Sequence, residues 1–344
     1  MNSTSRPLRH ILSAAAVVAS VGLTALIPVM VGMSWSAIIT VLAGISVVTL
    51  VGLGVLWAAG LLVHTIVLRA ALPGLTTRRA LLLNISGSAV SNVAPFGGAA
   101  GVGLGYVMAR SWKVSPASFA SFTAISNLWN VVGKLLVGTV LISAALILGV
   151  NLPPAFHGVL AYGTAVVLAV TIALIVALSS RTVADRLGRS LDIGINAVLR
   201  RLGSPRRVEA RTWVHETRAA NSATVSTSWA RLTLGVLAYL FLQALLMAGC
   251  LIAVGAHVPW TFIAVAFAVE RLITVIPFTP GGSGLAELGS VAVLVALGVD
   301  PVGAASGILL YRLFTFLLEI PLGGISALVW FRHHRATTHE LVAA

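Results

Sequence analysis

The chain has 344 residues, 58% of them hydrophobic and only 9% charged, with a mean hydropathy of +1.02. Lys and Arg number 22 against 9 Asp and Glu, a formal charge of +13. A soluble domain carries about 25% charged residues and most of a folded surface must meet water, so the composition excludes a soluble globular protein and a disordered one. The lone cysteine, Cys250, excludes an intrachain disulfide framework and a Cys-based zinc site.

Residues 1–10 are polar, and an apolar run follows from Ile11 to about Gly32. It is long enough to span a bilayer and reads as an uncleaved first helix; a cleaved signal peptide is the alternative. The second run, 37–67, precedes Arg69, Arg78 and Arg79. Segment 80–109 is apolar but broken by Asn84, Ser86, Ser88, Ser91, Asn92 and Pro95-Phe96-Gly97-Gly98, and Arg110 and Lys113 follow it. Runs at 116–149 and 158–180 come next. Residues 181–231 form one long polar stretch with ten Arg and four acids. Within it Leu187, Leu191, Ile195, Val198 and Leu202 mark one face of an amphipathic helix, expected to lie on the membrane surface. Three apolar stretches remain: 232–254; 259–298, interrupted by Pro277-Phe278-Thr279-Pro280-Gly281-Gly282-Ser283-Gly284; and 303–329, before a tail with Arg332, His333, His334 and Arg335.

Loops rich in Lys and Arg face the cytoplasm. With the N-terminus inside, six full spans (11–32, 37–67, 116–149, 158–180, 232–254, 303–329) place every loop cation inside, and the outside loops hold no Lys or Arg. The broken segments 80–109 and 259–298 then become re-entrant hairpins; the alternative is that one or both cross. The expected class is an all-α polytopic membrane protein, a single integral domain over 1–344 in the plasma membrane with both termini cytoplasmic. Its large basic charge is a topology signal and a contact for anionic headgroups, which removes the case for nucleic acid.

Two regions match, the glycine pairs at an offset of 184 residues and the segments after them at 185. Gly97-Gly98 and Gly281-Gly282 each follow a proline, and Val114-Ser115-Pro116 matches Val299-Asp300-Pro301. The repeat halves, about 80–149 and 259–329, would run in opposite directions, the pattern of inverted-repeat transporters. Thr123, Asn127, Asn130 and Lys134 share one face of the first long helix, and Arg312, Thr315 and Glu319 share one face of the second. The offset pairs Asn127 with Arg312, Asn130 with Thr315 and Lys134 with Glu319, so a buried Lys134–Glu319 ion pair is expected.

Six charges fall within apolar segments: Lys134, Glu270, Arg271, Glu287, Arg312 and Glu319. Such residues are costly in lipid and mark functional sites or structural pairs. Arg271 and Arg312 are candidates to bind an anionic headgroup, with Gly281, Gly282, Gly284, Glu287 and Asn127 around it. Lys134, Glu319 and Glu270 are candidates for coupling or for structural ion pairs. The half-helix beginning near Gly284 would offer a phosphate its N-terminus. Gly101 and Gly103 read as packing glycines. His64 reads as a packed or interfacial residue, and Trp57, Trp112, Trp260 and Trp330 as interfacial anchors. No catalytic triad, metal-spaced cluster or nucleotide loop stands out, so neither a metal nor a cofactor is expected and no residue is assigned as catalytic.

Segment 270–299, "ERLITVIPFTPGGSGLAELGSVAVLVALGV", followed by 309–324, "LLYRLFTFLLEIPLGG", resembles the lysylphosphatidylglycerol synthase transmembrane region family, which are flippase-like membrane proteins. The family's P-x-x-P-G-G-x-G-x-x-E pattern falls on Pro277, Pro280, Gly281, Gly282, Gly284 and Glu287, and its L-Y-R on Leu310, Tyr311 and Arg312. The resemblance covers about 10–335. In the first half Gly97-Gly98-Ala99-Ala100 and Ser126-Asn127 stand where family members often carry Gly-Glu and Glu-Arg, so headgroup specificity does not carry over. The resemblance implies movement of a phospholipid between leaflets. It also implies that the soluble aminoacyl-transfer domain of full-length synthases is lacking here, so the chain is expected not to be an enzyme. Two other readings stay open: a scaffold or accessory subunit for a cell-envelope glycosyltransferase or lipid-modifying enzyme, and a membrane-embedded transferase on a lipid phosphate, which the lack of clustered acids in loops disfavours.

Overall fold

The computed structural model describes residues 34–93, 97–150, 210–275 and 284–343, with positions 165 and 169, and gives side chains from 225 onward in the third segment and to 333 in the fourth. The predicted spans 11–32 and 158–180, the amphipathic face at 187–202, and Gly281 and Gly282 lie outside the described residues.

Every described element is helical. In chain order they are α1 Trp35–Ala43, α2 Val47–Ala71, α3 Thr77–Val93, α4 Gly97–Ser111, α5 Pro116–Ile147, α6 Ala210–Ala253, α7 Trp260–Ile273, α8 Leu285–Ala296 and α9 Pro301–Arg312. A π-helical turn, Leu313–Leu317, joins α9 to α10, Glu319–Ala343.

Four stretches are long and apolar enough to cross a membrane: Val47–Ala71, Pro116–Ile147, Val225–Ala253 and Pro301–His333. The shortest has 25 residues, about 37 Å at 1.5 Å per residue, against a hydrocarbon core of about 30 Å. These four agree with the predicted runs at 37–67, 116–149, 232–254 and 303–329, with two differences. The run expected at 37–67 is broken at its start, because Ser46 caps a new helix by accepting from the Thr49 N–H at 3.1 Å. The helix of the fifth apolar run begins at Ala210, so it extends without interruption into the polar stretch. Val48, 82% exposed, and Ile147, 85% exposed, illustrate the outward apolar face expected of a surface bathed in lipid.

The two broken segments are pairs of short helices packed on each other, α3 with α4 and α7 with α8. Their 12 to 17 residues span only about 18–26 Å, less than the hydrocarbon core. Each pair ends beside its own beginning. The Arg79 guanidinium at the start of α3 lies over the Trp112 ring after α4, 5.1 Å from its centroid. A Cβ added at Gly303, just past the second pair, would sit 3.1 Å from the Cβ of Ala256, just before it.

The turns that leave the two pairs are built alike, residue for residue. Lys113 N–H donates to Arg110 O at 3.0 Å and Val114 N–H to Ala109 O at 3.1 Å. At the offset of 185, Gly298 N–H donates to Val295 O at 2.9 Å and Val299 N–H to Leu294 O at 3.0 Å. Both turns are Schellman closures with a left-handed residue, Lys113 at φ 65° and Gly298 at φ 90°. The next residue caps the following helix. Ser115 accepts from Ser118 N–H at 3.0 Å and Asp300 from Gly303 N–H at 2.8 Å, and Pro116 and Pro301 take the first helical positions. The V-x-P motif seen twice in the sequence is therefore one structural device used twice.

Packing centres on α6, which lies against α2, α5, α7 and α9. On one side α3 packs against α10, and on the other α5 packs against α7. The polar faces of α2, α3, α5, α6, α7 and the α9–α10 rod converge on one interior volume.

Candidate functional site

Charges in that interior have nowhere to go but to each other. Glu270 and Arg271, adjacent on α7, are both buried and form an ion pair. Arg312, at the end of α9, donates from Nε to Glu287 Oε1 at 2.6 Å and places Nη1 3.8 Å from Glu270 Oε1. Each guanidinium also lies over a phenyl ring: Arg271 over Phe267 at 4.9 Å and Arg312 over Phe316 at 5.2 Å. Two cations and two carboxylates thus neutralise one another, as a low-dielectric site demands.

Glu287 does a second job. Its other oxygen accepts from the backbone N–H of Gly284 at 2.7 Å, where α8 begins and Gly284 has φ 86°. A carboxylate three residues into a helix can fold back on the first free donors. One backbone donor at the start of α8, where the sequence leads one to expect a phosphate, is therefore taken by the protein's own carboxylate.

A file of polar contacts leads away from this cluster. Arg271 Nη2 donates to Tyr311 Oη at 2.9 Å, Tyr311 donates to Gln243 Oε1 at 2.7 Å, and Gln243 Nε2 donates to Tyr239 Oη at 2.6 Å. The Tyr239 ring stacks on His64 at 4.5 Å, and His64 Nε2 lies 3.3 Å from Asn130 Oδ1. Asn130 in turn donates to Ser126 O at 2.8 Å. Five helices are tied together in this way. His64, read from sequence as packed or interfacial, is buried at the centre, with Nδ1 lacking a partner among the described residues. Sequence reasoning gives Gln243 and Tyr239 no role: they lie one turn apart in an apolar run, and only the crossing of α6 with α9 brings them to Tyr311, which the sequence shows only as the middle of the L-Y-R motif.

Glu270, Arg271 and Arg312 of the cluster, with Gln243 and Tyr239 of the file, border a cavity of about 170 Å³, whose wall also includes Lys134, Thr274, Thr315 and Glu319. Lys134 and Glu319 share the cavity but do not form the expected ion pair. Lys134 Nζ donates to Thr274 Oγ1 at 3.4 Å, and among the described residues it has no carboxylate within ion-pair distance. The offset correctly puts both residues on one cavity; Glu270, which lines it too, is taken by arginines.

Asn127 stands apart from Arg312. It lines a neighbouring cavity of about 230 Å³ that also meets His64, Ser126 and Asn130. Asn84 and Ser88 of α3 line both cavities and so form the wall between them. Among the described residues, no acidic or basic side chain other than His64 lines the second cavity. Gly101 lets α3 and α4 close on its far side, since a Cβ there would collide with Ser91 Oγ and come within 2.7 Å of Gly87 O. Gly103 has open space around it, so packing does not require a glycine there.

The π turn after Arg312 is part of the same construction. Leu318 N–H reaches back five residues to Leu313 O at 2.8 Å. Such a turn frees a carbonyl from the helical ladder, and Phe316 O accepts from Asn92 Nδ2 of α3 at 3.3 Å. The polar residue that breaks the apolar pattern of the first hairpin thus satisfies the irregular backbone of the last span.

An all-helical bundle with membrane-length spans, lipid-facing apolar surfaces and a sequestered charge cluster defines an integral membrane protein. Within that class, the family model for the lysylphosphatidylglycerol synthase TM region matches residues 13–323. The chain belongs to this family, which links it to membrane lipid or envelope biosynthesis. A search of curated proteins finds no match.

Proposed function

We propose that this protein is a flippase-like carrier that moves an anionic phospholipid headgroup between leaflets, without catalysing a chemical change in it. The observation that carries the reading is the 170 Å³ cavity, polar and charged, lined by all four stretches long enough to span together with α3 and α7. Ionisable side chains at membrane depth mark substrate pathways. In this reading the two short-helix pairs are re-entrant hairpins, related as an inverted repeat, and the Arg-rich loops and both termini face the cytoplasm. The matching turns after each pair, and the return of each pair to its own starting side, support that arrangement.

The roles differ from residue to residue. Arg271 and Arg312 are held by Glu270 and Glu287 and set the field of the cavity. Lys134, whose described partner is a hydroxyl, is the cation best placed to take a phosphate. Glu319 lines the same cavity without pairing with Lys134. Asn127 and the uncharged second cavity receive the rest of the headgroup.

Reconstitution into liposomes with fluorescent phospholipids tests this. The wild type should exchange anionic lipid between leaflets faster than empty vesicles, and Lys134→Gln and Arg312→Ala should both bring the rate down to the empty-vesicle value. Wild-type exchange no faster than in empty vesicles would overturn the carrier reading.

A further inference from the structure

Near Gly323 the α10 rod presses hard on α3. A Cβ added there would collide with Ile85 O and approach Ala89 Cβ. Toward the Arg-rich end the two helices diverge. The space between them is a groove of about 720 Å³, walled by Leu82 and Ile85 on one side and Ile325 and Val329 on the other. Trp112 and Trp330 flank its mouth, and Arg78 and Arg79 stand there with His333. None of its lining residues lines the central cavity or the neighbouring polar one.

Counter-charge for the two arginines is scarce. The chain has no Asp or Glu before Asp185. Among the described residues neither Arg78 nor Arg79 has an acidic partner, and Arg79 rests on the Trp112 ring instead. An apolar slot open to the bilayer, ending in aromatic rings and in guanidinium groups that no described carboxylate neutralises, matches one kind of molecule from end to end. Its acyl chains fit the slot, its glycerol region meets the tryptophans, and its phosphate meets the arginines. The volume lies within the range of about 300–1,000 Å³ usual for small-molecule sites. Basic pockets between transmembrane helices are a recurrent way of holding anionic lipid.

We propose that the α3–α10 groove is a second, resident binding site for a single anionic phospholipid, separate from the central cavity. The lipid wedges the first hairpin against the last span at their Arg-rich ends. It is a bound structural or regulatory lipid that need not itself be moved.

The test uses the full chain in nanodiscs of phosphatidylcholine containing a photoactivatable phosphatidylglycerol, with the crosslinked peptides identified by mass spectrometry. Crosslinks should concentrate on segments 78–85 and 325–333. Replacing both arginines, Arg78→Gln with Arg79→Gln, should lower that labelling at least fivefold. Val329→Trp, at a half-exposed position outside the core, should lower it by filling the slot with both arginines intact. Equal labelling by a photoactivatable phosphatidylcholine would show an unselective apolar surface and overturn the proposal. So would undiminished labelling in both variants, or labelling that falls outside segments 78–85 and 325–333.

Discussion

Glu287 is the residue on which most depends. One oxygen holds Arg312 and the other holds the first N–H of α8, so a single carboxylate fastens the second hairpin to the last span. Removing one partner of a buried pair leaves an uncompensated charge and costs about 3–5 kcal/mol. Glu287→Ala should therefore lower the thermal midpoint in detergent sharply, whereas Lys134→Gln should leave it nearly unchanged, because Lys134 has no carboxylate to abandon. Comparable losses in the two variants would contradict this division of labour. The six intramembrane charges were legible in the sequence, because charge in an apolar run is conspicuous. Their pairing was not. A repeat offset says which positions are equivalent, but an ion pair depends on side-chain reach, and Glu270 reaches both arginines before Lys134 meets Glu319.

At the scale of elements, the repeat was visible as two proline–glycine breaks and two V-x-P motifs. What the sequence could not display is that both copies close through the same hydrogen bonds despite sharing so few residues. Backbone geometry is preserved where side chains are not: Lys113 occupies the left-handed position that Gly298 occupies in the other copy. A side chain in that conformation costs about 1–2 kcal/mol, part of which glycine returns as lost unfolded-state freedom. Lys113→Gly should thus raise stability by about 0.5–1 kcal/mol and Gly298→Ala should lower it by about 1 kcal/mol, read from thermal melts. The start of α2 escaped the sequence reading for a related reason. Hydrophobicity is continuous from 37 to 67, and only a hydroxyl at Ser46 marks where one helix stops and the next begins.

For the molecule as a whole, the uneven placement of Arg predicts a sidedness that can be measured directly. Lys113 follows the first hairpin and His257 precedes the second, and both are exposed. In a Cys250→Ser background, Lys113→Cys and His257→Cys should react with a membrane-impermeant maleimide from opposite faces of the membrane. Reaction from the same face would break the inverted arrangement. The acids are distributed as unevenly as the arginines. The first 184 residues contain none, so every carboxylate that neutralises the buried cluster comes from the second half of the chain. The paired arginines come from that half too, so it is the first half, which brings Lys134 to the cavity and no acid, that depends on the second for the carboxylates around it, even though the turns of the two halves are copies of each other.

The π turn at Leu313–Leu317 gives that dependence a mechanical form. A helix with one residue beyond its regular count carries a phase step of about 100°. Everything after it is indexed to that step: Glu319 meets the cavity, and Gly323 meets α3, only because the extra residue is there. The last span therefore behaves as two keyed shafts joined by a fixed coupling. Chain length between Arg312 and Glu319 is held as tightly as the identity of either residue, and a single insertion or deletion in those six positions would disengage both contacts without altering one of the side chains that make them.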